Sequence, residues 1–148
     1  MDKELEEALG LAARSLGRRD RSRRALAAQL ARSGVDGPAA ERVLDELTES
    51  GYLDDRRLAS NRVRALADRH YGDAMIVARL TYEGIATREI DEALADLPAE
   101  SERALLAVSA LRGGPERRSA ALRRRGFSEP AIDTALASLD VFDEPSLP

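Results

Sequence analysis

One short pattern, Leu-x-x-x-Gly followed by an apolar residue, occurs three times in this chain, and the same apolar positions trail it each time. The copies are Leu30…Gly34-Val35 with Ala40, Leu44 and Leu47, then Leu80…Gly84-Ile85 with Ile90, Leu94 and Leu97. The third is Leu122…Gly126-Phe127 with Ile132, Leu136 and Leu139. A glycine between two runs of helical periodicity reads as a helix, a left-handed turn and a second helix whose stripe faces the first. A further helical stretch precedes each pair, at 3–16, 55–70 and 99–112. The expected fold is therefore all-α: three tandem three-helix repeats forming an elongated, curved helical array, because units this small gain stability by stacking.

Glycine and proline mark the remaining boundaries. Gly17, Gly34, Gly51, Gly72, Gly84, Gly113 and Gly126 separate the periodic stretches and are expected as left-handed helix ends. Pro38, Pro98, Pro115 and Pro130 fall where first helical turns are expected, and Asp36, Asp54, Thr87 and Ser128 are candidate N-caps. The spacing predicts helices at 3–16, 21–33, 37–50, 55–70, 73–83, 87–97, 99–112, 115–125 and 128–139. The repeats are expected at 1–50, 51–98 and 99–140, with a loose tail at 141–148. With aromatic residues at 3%, the cores must be packed from leucine and alanine. If Gly84 has positive φ, Gly84→Val should cost more than about 1 kcal/mol.

Several classes of chemistry are missing. There is no cysteine and a single histidine, His70, so thiolate metal sites and histidine triads are not expected. No phosphate-cradling glycine motif occurs. Neither a bilayer-crossing apolar run nor a secretory signal is read, so the expected location is cytoplasmic. Asp54-Asp55 reads as an N-cap with a first-turn acid. His70 reads as a cap or packing group, and Tyr52 and Tyr82, at apolar spacing, as fillers between helices, with contact to a partner the lesser reading. No enzyme, metal or cofactor is expected.

Charge is where the sequence speaks about partners. The net charge is −4, but its signs are segregated, and of 23 basic residues only Lys3 is not arginine. Arg14, Arg18, Arg19, Arg21, Arg23 and Arg24 flank the first turn. Arg57 with Arg64, and Arg62 with Arg69, recur at seven-residue spacing, so each pair shares a helix face. Arg117, Arg118, Arg123, Arg124 and Arg125 form a third cluster. Solvated helix faces and ends would account for these clusters without a partner. Three basic clusters, one per repeat, also suit a long surface docking on an extended acidic partner.

A helix-turn-helix transcription regulator remains an alternative, since Gly84/Ile90 and Gly126/Ile132 fit its spacing. Two features oppose it. Leucine stands four before each glycine, where a small residue usually lets the helices cross. The helices that would enter the groove are also acidic, with Glu41, Asp45, Glu46 and Glu49 in the first and Glu89, Asp91, Glu92 and Asp96 in the second. A generic helical-repeat adaptor for another protein is the other alternative.

With these residues assembled, the sequence resembles the RecX family of bacterial recombination regulators. The resemblance is carried by Gly51-Tyr52-Leu53-Asp54-Asp55-x-x-Leu58-Ala59 and by Arg69-x-x-Gly72-x-x-x-Ile76-x-x-x-Leu80-x-x-x-Gly84-Ile85. Ser22-x-x-Ala25-Leu26-x-x-x-Leu30 and Arg124-Arg125-Gly126-Phe127-Ser128 support it, and the match spans roughly residues 8–140. Leu58 departs from the family's usual Phe, and Gly113-Gly114-Pro115 interrupts the third repeat. The resemblance implies a three-repeat, all-helical, non-catalytic protein that binds the RecA recombinase filament, with single-stranded DNA met through that filament; a monomer is expected. It implies blocked filament growth or promoted disassembly, damping strand exchange and SOS induction. The arginine clusters above are the expected contacts.

Overall fold

The computed structural model describes residues 3–143, which form α-helices joined by short turns, with no strand among the described residues. The first unit holds α1 (Lys3–Arg18), α2 (Arg23–Arg32) and α3 (Gly37–Glu49). The second holds α4 (Asp55–Asp68), α5 (Asp73–Tyr82) and α6 (Thr87–Ala95). The third holds α7 (Glu100–Ser109), α8 (Pro115–Arg124) and α9 (Glu129–Asp143).

Each unit encloses its own apolar cluster. Leu26, Leu30, Val43 and Leu44 centre the first, Val63, Ile76, Leu80 and Ile90 the second, and Val108, Leu122, Phe127 and Ile132 the third. Leu53 packs into the first cluster although it follows α3 in the chain. Alanine carries much of the close packing: Ala104, Ala107, Ala131 and Ala135 are all buried between α7 and α9. The chain exposes 9625 Å², about 30% more than the roughly 7,400 Å² of a compact monomer of this mass. The three cores therefore lie in an extended body.

The recurring Leu-x-x-x-Gly pattern is a helix-ending device. In each copy the amide after the glycine donates to the leucine carbonyl: Val35 to Leu30 (2.8 Å), Ile85 to Leu80 (3.0 Å) and Phe127 to Leu122 (3.2 Å). The bond requires a left-handed residue, and Gly34, Gly84 and Gly126 have φ of 86°, 85° and 91°. The same closure ends α4, where Tyr71 N–H reaches Leu66 O at 3.1 Å and His70 takes the left-handed place at φ 64°. The capping reading of His70 therefore holds.

Several boundary expectations are corrected. Gly17 lies inside α1, and Gly72 is an extended N-cap at φ −84°, so neither is a left-handed end. Ala86, not Thr87, precedes α6 as its cap residue, and Asp36 caps α3 without a side-chain hydrogen bond. Pro98 lies ahead of α7 rather than in its first turn. α9 continues to Asp143, past the expected start of the loose tail, whose remaining part (144–148) lies outside the described residues. Tyr52 and Tyr82 do not fill gaps: they are 66% and 93% exposed.

The units meet through their middle helices, arranged head to tail. At the seam between the second and third units, Gly72 N–H at the start of α5 donates to Arg125 O at the end of α8 (2.8 Å), and Ala74 N–H to Gly126 O (3.2 Å). At the seam between the first and second units, the Ser22 hydroxyl caps α2 by accepting Ala25 N–H and donates to Glu83 O at the end of α5 (2.6 Å). One helix's free carbonyls thus satisfy the next helix's free donors, with the dipoles aligned. An acid from the following unit adds to each seam at equivalent places. Asp55, first residue of α4, accepts Arg23 N–H at 2.9 Å. Glu100, first residue of α7, accepts Asp73 N–H at 2.8 Å.

Candidate functional site

The seams bring arginines from distant parts of the chain onto one groove. Arg19 just after α1, Arg62 on α4, Arg69 at the C-cap of α4, and Arg79 on α5 line a cavity of about 610 Å³ with Ala65 and Ala78 in its wall. Its one acid, Glu83, accepts from Arg19 and Arg62 at 3.3 Å each, and Arg62 also reaches Asp20 O at 3.4 Å. Tyr82 stands at the groove almost wholly in solvent.

The row continues toward the third unit. The half-buried Tyr71 ring is overlaid by three guanidiniums, with Cζ to centroid distances of 4.9 Å for Arg79 and 5.6 Å for Arg69 and Arg125. Such stacking orders cations without neutralising them. Arg125 also donates to Arg69 O at 3.0 Å across the seam. Among the described residues, none of these three has a carboxylate within ion-pair distance.

The expected arginines therefore sort into several environments. Arg19, Arg62, Arg69 and Arg125 are brought together. Arg57 and Arg64 lie elsewhere on α4, as a seven-residue spacing offset from Arg62 and Arg69 dictates. Arg57 donates to Gly51 O (3.2 Å), and Arg64 to Asn61 Oδ1 (3.2 Å). The two pairs do not share one face. Arg23 is held by Asp45 and Glu41 at 2.8 Å each, inside the first unit, and these acids raise its pKa although burial opposes them. Arg123 pairs with Glu129. Arg21 and Arg118 each bury an Nε without a hydrogen-bond partner. Arg14 lies with Glu4 and Glu7 in a separate cleft. Arg18, Arg24, Arg117 and Arg124 are exposed.

Sequence reasoning missed three residues. Arg103 is 7% exposed and reaches Pro98 O (3.0 Å), Tyr71 O (3.3 Å) and the Asp73 carboxylate, which locks the second seam. Tyr82, two residues past Leu80, falls off the Ile76/Leu80 stripe of α5, and that offset is the signal placing it outside the core, whereas for Arg79, three after Ile76, the only signal is its charge.

The acids at the seams differ in ionisation. Burial raises the Asp55 carboxyl above the ordinary range, with nearby Glu89 adding to it, despite the Arg23 amide. Burial acts the same way on Glu100 but is outweighed by hydrogen bonds from the Ser128 hydroxyl and amide and from Asp73 N–H, so Glu100 is lowered. Asp54 caps α4 by accepting Arg57 N–H at 3.0 Å, as expected, and Asp55 stands in the first turn but also accepts Arg23 N–H across the seam, a role the sequence did not suggest.

Three like units, joined end to end, define a tandem three-helix-repeat protein. A family model described as the first three-helix domain of RecX matches residues 8–47. The regulatory protein RecX of Halorhodospira halophila is 38% identical over 142 residues, covering 90% of this chain and 88% of the relative. That of Stenotrophomonas maltophilia is 35% identical, covering 88% and 83%. The chain belongs to the RecX family of regulatory proteins. In fold it matches the crystal structure of RecX from Lactobacillus salivarius with a TM-score of 0.85 at 18% identity, covering 95% of this chain and 99% of that one. No described helix is long and apolar enough to cross a membrane.

Proposed function

We propose that this chain binds the RecA nucleoprotein filament and restrains it, by blocking extension or promoting disassembly, so damping strand exchange and SOS induction. The observation supporting this most directly is a row of arginines running over two seams of an extended body in a member of the RecX regulatory family. A filament is a repeating acidic surface, and a long rigid body with distributed cations engages several repeats at once. Exposed charges contribute only about 0–1 kcal/mol each, so affinity rests on multivalency and falls with salt. The working form is a cytoplasmic monomer, with repeats 1–50, 51–98 and 99–140 as its modules, needing no cofactor and performing no catalysis.

Titration into RecA–single-stranded-DNA ATPase and filament assays tests this. Inhibition at well under one molecule per RecA is expected. Replacing Arg57, Arg62, Arg64 and Arg69 with Ala should weaken it while helicity persists. Unchanged ATPase and strand exchange would leave a generic adaptor, and a shifted operator duplex without RecA would indicate a transcription regulator.

A further inference from the structure

We infer that this protein docks on further copies of itself head to tail: the start of α8 on one copy seats in the cleft at the end of α2 on the next, repeating the build of the internal seams. The middle helices already run in series, since α5 receives the end of α8 and α2 receives the end of α5. Among the described residues, two ends of that series are uncovered. Gly114 and Glu116 at the start of α8 stand where Gly72 and Ala74 stand at the second seam, twelve and ten residues before the turn glycine, and their N–H groups have no acceptor. At the other end, Ser33 O and Gly34 O correspond to Arg125 O and Gly126 O, and they receive no donor. Pro115 occupies the place where Arg23 and Asp73 each give an N–H to an acid of the following unit, and proline has none to give. Acceptors for Gly114 and Glu116 therefore complete this end.

The decisive residue is Gly114. Its backbone, at φ −76°, suits any residue, and a Cβ added there meets nothing within 4 Å, so no contact among the described residues calls for glycine. Its counterpart Gly72 has nearly the same backbone at φ −84°, but there a Cβ would lie 2.4 Å from Gly126 C and Phe127 N of the adjoining helix end. Glycine at this place is what a seam requires. The opposite end offers the matching seat: Gly34, also open, lines a cleft of about 670 Å³.

Charge agrees with the pairing. Glu4, Glu7 and Asp36 outnumber Arg14 in that cleft, beside the negative end of the α2 dipole. Arg112, Arg117 and Arg118 outnumber Glu116 around the positive end of the α8 dipole. Among the described residues, no ion pair takes up Glu7, Asp36, Arg112 or Arg117. Arg32, in the last turn of α2, matches Arg124, which the second seam leaves exposed. A contact of few hydrogen bonds, without the tether of the internal seams, is weak, so dilute protein stays monomeric and copies join where they are crowded. Because unlike ends meet, each contact leaves one of either kind free, and chains of copies can grow. The contact requires no recombinase and stands or falls separately from the filament reading.

Cysteine cross-linking of the full chain tests the contact, because the chain has no native cysteine. Ser33→Cys and Glu116→Cys both fall at exposed positions. Treated with a short bis-maleimide at low salt, a mixture of these two variants is expected to give dimer in several-fold greater yield than either alone, and the double variant a ladder of multimers. Added salt should weaken both products, as should Asp36→Arg. Gly114→Gln fills the seat and should abolish them, with helical circular dichroism unchanged because its backbone suits any residue. Arg88→Ala, on α6 and paired with Glu92, should change nothing. Equal yield from Ser33→Cys or Glu116→Cys alone, a double variant without multimers, or undiminished products in Gly114→Gln would each overturn the assignment.

Discussion

Three glycines with nearly the same backbone provide a controlled test of the seams. Gly34, Gly84 and Gly126 share a left-handed φ of 86°, 85° and 91°, but differ in what a methyl group would meet. At Gly34 it meets open space. At Gly84 it lies 2.9 Å from Ser22 Oγ and 3.3 Å from Arg24 Cβ. At Gly126 it lies 2.5 Å from Met75 N and 2.7 Å from Met75 Cβ. Gly34→Ala should therefore cost only left-handed strain, about 1–2 kcal/mol. Gly126→Ala carries the same strain plus overpacking of about 1–3 kcal/mol. Its neighbour is backbone, so relief means parting α5 from α8 and losing the Gly72–Arg125 and Ala74–Gly126 bonds, each about 1 kcal/mol net. The entropy that alanine removes from the unfolded chain is common to all three and cancels. Urea unfolding followed by helical circular dichroism should rank the costs Gly34 < Gly84 < Gly126, with about 2 kcal/mol or more between the extremes. Amides at Gly72 and Ala74 should exchange faster in the Gly126 variant. Costs for Gly34→Ala and Gly126→Ala that agree within about 0.5 kcal/mol would refute the head-to-tail seam as a packing constraint.

Other substitutions probe the same junctions. Ser22→Ala removes a buried hydroxyl serving Ala25 N–H and Glu83 O, and should cost about 1–3 kcal/mol in the same unfolding assay. Glu100 is lowered in the folded state, so its stabilisation is present above the ordinary glutamate pKa and lost as pH falls through its folded value. Glu100→Gln should reduce stability near neutrality and flatten that acid limb in unfolding curves taken across pH. Asp55 is raised, so its folded form favours the proton and its contribution improves as pH falls through the folded pKa. Asp55→Asn keeps an acceptor for Arg23 N–H, and should cost less at neutral pH than Glu100→Gln does.

The repeat was legible because one closure recurs: a leucine carbonyl, a glycine and an apolar residue carry the turn within six positions, and the buried stripes follow at helical spacing. Leu30, Leu80 and Leu122 all become fully buried for that reason. The seams were not legible, since they join groups such as Ser22 and Glu83 that local periodicity does not relate. Gly72 illustrates the limit. It looks like another helix end, but is an extended N-cap whose added Cβ would lie 2.4 Å from Gly126 C and Phe127 N. Arg103 was equally hidden, because a charged residue is expected at the surface unless its partners are known. The arginine clusters were visible as runs of charge, but which of them remain unpaired depends on acids such as Glu83 and Asp45 supplied by other helices. Tyr82 was misjudged by apolar character alone, although its offset from Ile76 and Leu80 already placed it outward.

The central claim is that a long body presents one surface spanning its units to a nucleoprotein filament. Hydrogen exchange of the full chain, free and bound to RecA on single-stranded DNA, measures that footprint directly. Protection around Arg19, around Arg69 and Arg79, and around Arg125 would show engagement across both seams. Protection confined to one unit, or none at filament concentrations that saturate binding, would contradict it.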